Sequence, residues 1–337
     1  MIAIEYHDDL KEVQADAQLA ALLGAGPCSV PFDRLGWWQA LEAECGLVPM
    51  LAVAREGIDL AVLPLQAGTG HLHGLTNWYS FTLRPIISEG ANGRALLCAL
   101  ARDLKRRAWR ITLAPLPDEG GEASLVAQAF ADAGWQMQRK ACDLNHILVV
   151  NNYNYAEFIS ARPGQLRTTL RRKAGKVAVS IHTTFDEGAW ADYAKIYTDS
   201  WKPGEGSPAF LRRFAMEEGA AGRLRLAVAH HEGRAVAAQL WTVEGGTAYI
   251  HKLAHTDQAK PLSPGTTLSA ALFAHVIDRD AVRMIDFGTG DDAYKRDWME
   301  HVRPRYRLDL FNPARPRSWP HLARSALCRL ARRHVDG

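Results

Sequence analysis

The sequence predicts an α/β protein of two tandem domains, each a mixed, mainly antiparallel central sheet flanked by helices. A chain of 337 residues is longer than one typical domain and suits two. Residues 224–255 read as three apolar, alternating strands joined by tight turns, and a Pro-Gly pair then opens a helical pattern. The string Leu-Ala-Val-Ala, with Glu-Gly shortly after it, occurs at 51–54 and again at 226–229. A repeat at that separation indicates two copies of one domain.

The first domain is predicted over residues 1–150. Asp33 is expected to cap its second helix. An aromatic segment contains Trp78 and Tyr79, which either line a binding cleft or pack on the domain's own core. The predicted elements, in order, are a strand at 2–6, helices at 9–23 and 33–44, strands at 50–54 and 58–65, a helix at 94–108, a strand at 111–114, a helix at 123–133, and strands at 135–139 and 144–150.

The second domain is predicted over residues 151–310. A short basic helix from Pro163 opens it, and its arginines Arg171 and Arg172 either form a solvated face or meet a phosphate of a bound ligand. The other predicted elements are a strand at 177–183, helices at 190–201 and 208–218, strands at 224–230, 235–243 and 247–255, a helix at 266–278, a short strand at 285–287 and a last strand at 305–311.

The positive charge of the chain is concentrated in its tail. The formal net charge is +3, but residues 301–337 hold nine Arg, no Lys and two Asp, so that 9 − 2 gives +7 there. Residues 311–337 are predicted to form a basic tail, with a helix at 319–334. Such a helix either lies on an anionic membrane surface or packs on its own protein. Nucleic acid is a poor fit, because the charge is local and no recognition motif accompanies it.

Several classes of protein are disfavoured. No window holds 18 consecutive apolar residues, which predicts no membrane-spanning helix, and residues 1–9 lack the apolar core of a signal peptide. The cysteines are odd in number, widely spaced and without a metal-binding pattern, so we expect reduced thiols and no metal site. Reduced thiols in turn favour a cytoplasmic location. The basic tail leaves open a peripheral contact with the inner face of the membrane. The cysteines are Cys28, Cys45, Cys98, Cys142 and Cys328.

Three segments in the second half carry a resemblance to a known family. They are residues 249–255 (YIHKLAH), 262–268 (LSPGTTL) and 285–298, the last containing Asp-Phe-Gly and Tyr-Lys. In this order and at this spacing they resemble the GNAT acyltransferase superfamily, in particular its CelD/FemAB-like branch, which is built from tandem GNAT domains. The first copy has no comparable phosphate loop, so the resemblance implies that it does not bind the donor.

The resemblance implies acyl-CoA, expected to be acetyl-CoA, as a cosubstrate and no permanently bound cofactor. The Ser-Pro-Gly-Thr loop would hold the donor's pyrophosphate with backbone N–H groups at the start of a helix. A backbone N–H on the preceding strand would stabilise the oxyanion. The implied donor-binding residues are Lys252, Leu253, Ala254, Ser263, Gly265, Thr266 and Thr267.

Acyl transfer to an amine also needs proton transfer and charge stabilisation. The candidates for the proton steps are Asp286, Asp291, Asp292, His251 and Tyr294; a carboxylate or histidine would remove the amine proton, and the tyrosine would protonate the leaving thiolate. The resemblance implies that Lys295 stabilises developing negative charge; otherwise it is a surface lysine. Asp291 is a candidate acceptor contact, and the Asp291-Asp292 pair is equally consistent with a helix cap.

The acceptor cleft is predicted by analogy and by strand alternation. Trp201 lies where a GNAT cleft receives its acceptor. On the strand at 247–255, alternation places Tyr249 with His251 on one face and Ile250 with Lys252 on the other, so only one pair is expected to line the cleft. The predicted acceptor contacts are Trp78, Tyr79, Trp201, Tyr249 and Asp291.

The resulting hypothesis is an N-acyltransferase that moves an acyl group from acyl-CoA to a primary amine, for example an amino sugar or another cell-envelope or polysaccharide precursor. One alternative is a FemAB-type aminoacyltransferase that takes an aminoacyl-tRNA donor. Another is a non-catalytic GNAT-like protein that binds a glycan precursor during polysaccharide assembly, since a fold does not fix a function.

Overall fold

The computed structural model describes residues 1–26 and 29–324, which form two compact units. Unit 1 comprises Met1–Ala25, Pro31–Asp143 and the described residues from Pro304 onward, and unit 2 comprises Leu144–Arg303 with the described residues of Gly26–Val30. The divisions fall at 143/144 and 303/304, whereas the sequence places them at 150 and 310. Of the predicted tail helix, 319–324 are helical; its remainder, like Cys28 and Cys328, lies outside the described residues.

Thirteen strands occur in the described part of the chain. They are β1 (Ala3–His7), β2 (Pro49–Glu56), β3 (Asp59–Gln66), β4 (His71–Gly74), β5 (Ile86–Ile87), β6 (Arg110–Leu116), β7 (Gln136–Val149), β8 (Ala178–His182), β9 (Leu224–His231), β10 (Arg234–Glu244), β11 (Thr247–His255), β12 (Met284–Thr289) and β13 (His301–Phe311).

Ten complete helices and several short 3-10 turns lie in the same residues, in addition to the helical residues 319–324. The helices are α1 (Leu10–Ala15), α2 (Ala17–Leu22), α3 (Leu35–Cys45), α4 (Gly93–Leu104), α5 (Glu122–Asp132), α6 (Tyr155–Ser160), α7 (Gly164–Lys173), α8 (Glu187–Thr198), α9 (Pro208–Ala220) and α10 (Pro264–Asp278).

The sheets of the two units have the same topology. In unit 1 the strands follow the order β1-β2-β3-β4-β6-β13, with β5 beside β3; in unit 2 the order is β8-β9-β10-β11-β12-β7. Each begins with four antiparallel strands, continues with one parallel pair (β4 with β6, β11 with β12) and ends on an antiparallel strand. The predicted α/β fold of two tandem domains is confirmed, and the recurring Leu-Ala-Val-Ala strings lie on the equivalent strands β2 and β9.

The last strand of each sheet comes from a distant part of the chain. In unit 1, β13 contributes residues after 303 and pairs with β6 through Leu310 opposite Ile111. In unit 2, the end of β7 pairs with β12 through Leu148 opposite Ile285. Because these partners lie far apart in sequence, local patterns do not reveal the pairings.

Each unit has its own apolar core. In unit 1 the helices α4 and α5 pack on the sheet through side chains such as Leu100 and Phe130, both fully buried. In unit 2 the helix α10 packs on the sheet, with Phe273 stacked 5.1 Å from Phe158 and set edge-on to Trp241 at 5.4 Å. Aromatic pairs in these arrangements add stability beyond their area burial.

Three sequence predictions about local structure are wrong. The helix predicted at 9–23 is split, because Asp16 has an extended backbone and its carboxylate caps α2 by accepting from two N–H groups. Asp33 does not cap α3; it lies buried in a 3-10 turn and pairs with Arg84. The strands predicted at 135–139 and 144–150 are a single strand, β7.

The exclusions made from the sequence can be compared with the described residues alone. Within 1–26 and 29–324, no helix has the length and hydropathy needed to cross a bilayer. The same residues contain no cluster of three or more ligands suited to a metal ion. Cys98 and Cys142 are free thiols.

Candidate functional site

Two neighbouring strands of unit 2 separate and leave a gap. Strands β11 and β12 run parallel and are paired only from Thr247 with Met284 to Tyr249 with Asp286. Beyond that point β11 continues to His255 and β12 to Thr289 without pairing to each other. The edge of β11 from residue 250 onward therefore borders a gap in the sheet.

A β-bulge in β11 changes the face of the sheet to which the following side chains point. Opposite β10, Ile250 pairs with Trp241 and Lys252 with Leu240, so His251 is an extra residue. Ile250 remains in the apolar core under α10, whereas His251 and Lys252 both turn to the helices α8 and α9 on the other face. The prediction that Lys252 shares the face of Ile250 is wrong, because the bulge shifts the alternation by one residue.

The contacts of these two side chains define their surroundings. The Nε2 atom of His251 lies 2.8 Å from the hydroxyl of Thr242, and its ring meets Phe214 of α9 edge-on at 5.0 Å. The ammonium of Lys252 donates to the carboxylate of Glu205 at 3.0 Å and lies 5.4 Å from the Tyr197 ring centroid. Glu205, which the sequence analysis did not select, therefore belongs to this side of the site.

The Ser-Pro-Gly-Thr segment forms the predicted loop and helix start. Ser263 has the left-handed conformation (φ of 52°), which directs the chain into α10 with Pro264 as its first residue. The ammonium of Lys173 donates to the Ser263 hydroxyl at 3.0 Å. The first N–H groups of a helix have no intrahelical partners and carry the positive end of its dipole, so this terminus suits an anion.

Gly265 lies close to the last residue of β11. A Cβ atom added to Gly265 would stand 3.5 Å from Cδ2 of His255, which is an ordinary contact. A methyl group therefore fits there, and only a large side chain would block the loop. Gln239 holds the start of α10 in place, because its amide donates to the Gly265 carbonyl at 3.1 Å and to the Ser269 hydroxyl at 2.8 Å.

An aromatic and cationic wall stands beside this loop. The Trp201 ring lies 4.2 Å from that of His255, and the ammonium groups of Lys202 and Lys260 lie 5.5 and 5.9 Å from the same indole. Trp201 is 47% exposed, so its ring is accessible to a ligand. Of this wall the sequence analysis identified Trp201 alone.

Burial lowers the pKa of two groups in the wall. It lowers the pKa of His255, so the imidazole is neutral at pH 7. Because its Nδ1 atom lies 3.1 Å from the Thr256 carbonyl, Nδ1 carries the hydrogen and Nε2 keeps a lone pair. Burial also lowers the pKa of Lys202, against the opposing effect of Asp292.

Asp286 is engaged on both carboxylate oxygens. Its Oδ1 accepts from the Asn145 amide at 2.6 Å and from the Gly288 N–H at 2.7 Å, and its Oδ2 lies 3.3 Å from Nη2 of Arg303. The side chain is 4% exposed. This geometry suits a carboxylate that fixes the turn after β12. Asn145 was missed, although a polar residue at the start of an apolar strand was the available signal.

Lys295 is held on the same turn and is 4% exposed. Its ammonium donates to the Thr289 carbonyl and, at 3.0 Å, to that of Gly290, and it lies 5.4 Å from the Phe287 ring centroid. Lys295 is thus a buried cation in a fixed position. The alternative of a surface lysine is wrong, because the short 3-10 turn after β12 directs the side chain inward.

Tyr294 and Asp291 flank that lysine and differ in environment. Burial, and secondarily the charge of Asp292, raises the pKa of Tyr294, so the phenol keeps its proton at neutral pH. Asp291 pairs with Arg296 at 2.7 Å and lies 3.1 Å from Nε2 of the fully buried His146. Hydrogen bonding by Arg296 lowers the pKa of Asp291.

The two aromatic residues selected in the first domain have different environments. Trp78 is 67% exposed, whereas Tyr79 is 4% exposed and lies within unit 1. The backbone N–H of Tyr79 donates to the Asn77 side chain at 2.9 Å, which fixes the turn. Tyr79 thus has the core packing that the sequence analysis left open as an alternative.

Comparison with known proteins supports the fold. The family model of the acetyltransferase (GNAT) domain matches residues 164–296. FemX aligns with a TM-score of 0.62 at 10% identity, over 90% of this chain and 96% of that one. The DUF2156 domain of a protein described as a lysylphosphatidylglycerol synthetase from Agrobacterium fabrum gives a TM-score of 0.58 at 13% identity, over 91% and 93%.

A tandem GNAT protein from the clavulanic acid biosynthesis pathway gives a TM-score of 0.54 at 13% identity, over 93% of this chain and 99% of that one. The search of curated proteins found no match. At such identities the structural likeness concerns the fold alone. Residues 164–296 thus match the acetyltransferase (GNAT) domain model, and the chain as a whole shares its fold with FemX and with a tandem GNAT protein.

Proposed function

We propose that unit 2 is an N-acyltransferase that moves an acyl group, acetyl being the expected one, from acyl-CoA to a primary amine. The observation that carries the proposal is the separation of β11 from β12 beside the start of α10. A gap between parallel strands gives an extended donor arm access to the sheet edge. The helix start next to it supplies N–H groups for a pyrophosphate.

The donor would lie along β11. Its pyrophosphate would meet the loop at Ser263, Gly265, Thr266 and Thr267, with Lys173 holding the Ser263 hydroxyl in place. Its thioester would lie against the β11 edge at 252–254, where a backbone N–H would stabilise the oxyanion that forms during attack. Preorganised donors of this kind supply about 3–4 kcal/mol of transition-state stabilisation.

Several groups near the gap are suited to the proton steps. The amine nitrogen forms a bond to the thioester carbon, loses a proton, and the carbon–sulfur bond then breaks. His255, neutral and with a lone pair on Nε2, is suited to accept the amine proton, as is His251 if a water molecule connects it. Tyr294 retains its proton at pH 7 and can protonate the leaving thiolate.

Lys295 and Asp286 would act in different ways. Lys295 is a fixed buried cation next to Tyr294, which suits stabilisation of developing negative charge. Asp286 receives three hydrogen bonds and would position the turn that carries Lys295. The proposal therefore treats Asp286 as a positioning residue.

The exposed wall made by Trp201, Lys202 and Lys260 suits the acceptor, and we infer a ring-containing amine such as an amino sugar or another cell-envelope or polysaccharide precursor. Sugar rings commonly rest on indole faces, and the nearby lysines would favour an acceptor with an additional negative group. Tyr249 and Asp291 are the further acceptor contacts in unit 2 that the proposal retains.

Calorimetric titration with CoA, acetyl-CoA and a long-chain acyl-CoA tests the proposal. Gly265→Trp should abolish binding, because a bulky side chain fills the space beside His255. Gly175→Trp is the matched control, since a Cβ atom added there meets nothing within 4 Å. Wild-type protein that binds none of the three ligands would contradict the proposal and favour an aminoacyl-tRNA donor or a non-catalytic role.

A further inference from the structure

A groove in unit 1, remote in sequence from the acyltransfer residues, is lined by four arginines and no acidic residue. Its volume is 670 Å³, which lies within the range of roughly 300–1,000 Å³ that is typical of small-molecule sites. Arg106 and Arg107 follow α4, and Arg315 and Arg317 follow β13. The lining of the groove also includes Gly70, Trp109 and Pro316.

Buried hydrogen bonds hold the two arginine pairs together. The amide of Asn312, which is 1% exposed, donates to the carbonyls of Lys105 and Ala108 at 2.9 and 3.2 Å. The hydroxyl of the fully buried Ser318 donates to the Trp109 carbonyl at 2.8 Å. The segment that carries Arg315 and Arg317 is therefore fixed at both ends against the connection between α4 and β6.

The guanidinium groups are partly oriented and poorly neutralised. Arg315 donates to the Arg106 carbonyl at 2.8 Å, and Arg107 stacks 3.7 Å over the Tyr6 ring. Arg106 pairs with Asp103 at 3.2 Å, and in the described part of the chain no carboxylate pairs with the other three. Four positive charges and one negative charge leave 4 − 1 = +3 around the groove.

We propose that this groove binds a small ligand that carries adjacent phosphate groups, such as a diphosphate. A planar guanidinium donates in pairs to phosphate oxygens, and arginine rather than lysine makes up all of the cationic lining. A net charge of +3 matches a diphosphate at neutral pH. The phosphates belong either to a soluble compound or to a lipid headgroup, and both present the same chemistry.

Calorimetric titration of the full chain with inorganic pyrophosphate at physiological salt tests the site. We expect binding to the wild type and at least about tenfold weaker binding to Arg107→Ala/Arg317→Ala, since each lost charge-assisted pair costs about tenfold or more. Arg317→Ala alone should show part of the loss, and because this residue is exposed its replacement should leave the fold intact. Thermal melting of each variant verifies that it is folded.

Two controls separate this groove from other cationic surfaces. Arg102→Ala/Arg234→Ala removes the same charge elsewhere and should bind pyrophosphate as the wild type does. Gly265→Trp blocks the proposed donor loop of unit 2 and should also leave this binding intact. The proposal is overturned if the wild type does not bind pyrophosphate, if the charge-matched control loses binding equally, or if Gly265→Trp alone abolishes it.

Cosedimentation with phosphatidylcholine vesicles that contain a small fraction of a polyprenyl diphosphate lipid then distinguishes the two sources of the diphosphate. Vesicle binding that is lost in Arg107→Ala/Arg317→Ala and displaced by pyrophosphate assigns the groove to a lipid headgroup. Pyrophosphate binding without vesicle binding assigns it to a soluble ligand. Both results support the site, and vesicle binding that is unaffected by the double substitution assigns membrane contact to another surface and excludes the lipid source.

Discussion

The amide of Asn145 donates to the carboxylate of Asp286 at 2.6 Å, and both side chains are buried. Asn145 lies at the end strand of the unit 2 sheet and Asp286 on its neighbour, just where β12 separates from β11. The hydrogen bond therefore fixes the strand at the point where the gap opens. Arg303 completes the arrangement by donating to both residues.

We expect Asn145→Ala to lower the free energy of unfolding by about 1–3 kcal/mol, because it leaves a buried carboxylate with one donor fewer. Chemical denaturation of the full chain, followed by tryptophan fluorescence, measures the free energy of unfolding. Asn151→Ala, a few residues along the chain at an exposed position, is the control and should change stability by less than about 0.5 kcal/mol. Equal stability of the two variants would show that the Asn145 bond contributes nothing.

Lys295→Met should lower kcat by about a hundredfold with little change in the KM for acyl-CoA, because a fixed cation acts on charge that develops in the transition state. Steady-state kinetics on an amine acceptor measures the effect. Lys195→Met, which replaces an exposed helix lysine, is the control. A kcat within twofold of the wild type would exclude an electrostatic role for Lys295, provided that the variant melts normally.

His255 should determine how the rate falls in acid. Since its pKa is lowered by burial, the imidazole remains neutral below its ordinary value of 6.5, and kcat/KM should stay level as the pH falls to 6.5 and decline only at lower pH. His255→Gln should abolish the decline of kcat/KM at low pH and should also remove most of the activity. His182→Gln should change neither, and an unchanged profile in the His255 variant would assign the base to another group.

The stability of unit 1 should fall in acid in two stages. Burial lowers the pKa of His71 to about 4 and also lowers that of His73, so unfolding takes up protons and the midpoint of urea unfolding should decrease as the pH falls from 6.5 to 4. Burial tends to raise the pKa of Asp309, but hydrogen bonds from Arg307, Arg110 and Thr112 outweigh it and hold the value at about 2. Stability from Asp309 is therefore present above pH 3.8 and is lost toward pH 2.

The double variant His71→Gln/His73→Gln separates these stages. It should lose less stability than the wild type between pH 6.5 and 4 and show the same loss below pH 3.8. Urea titrations at a series of pH values measure both. If the urea midpoints of the wild type and the variant fall in parallel between pH 6.5 and 4, these histidines do not cause the loss of stability in that range.

The sequence was informative where structure is set by local chemistry. Tight turns at Gly233 and Gly246 and the Pro264-Gly265 pair predicted the strands of unit 2 and the start of α10 because these residues act within a few positions of themselves. The short basic helix α7 was found in the same way. The fold class followed from these elements and from the repeated strand string.

What the sequence did not reveal depends on register and on distant partners. The bulge at His251 is defined only by its pairing with β10, so counting along β11 put Lys252 on the wrong face. Asn145 and Arg303 reach Asp286 from positions far away in the chain. His255 was overlooked because its lowered pKa arises from burial beside Trp201, which no local pattern encodes.

The last strand of each sheet comes from a distant part of the chain, and this affects how the protein folds during synthesis. A ribosome that has made residues 1–150 has delivered only part of the unit 1 sheet, since β6 still lacks β13. The edge of β6 stays unpaired until almost the whole chain has emerged from the ribosome. Exposed strand edges can pair with other chains. A fragment cut at residue 150 should therefore aggregate, and its counterpart 151–337, deprived of the end of β7, should expose the edge of β12.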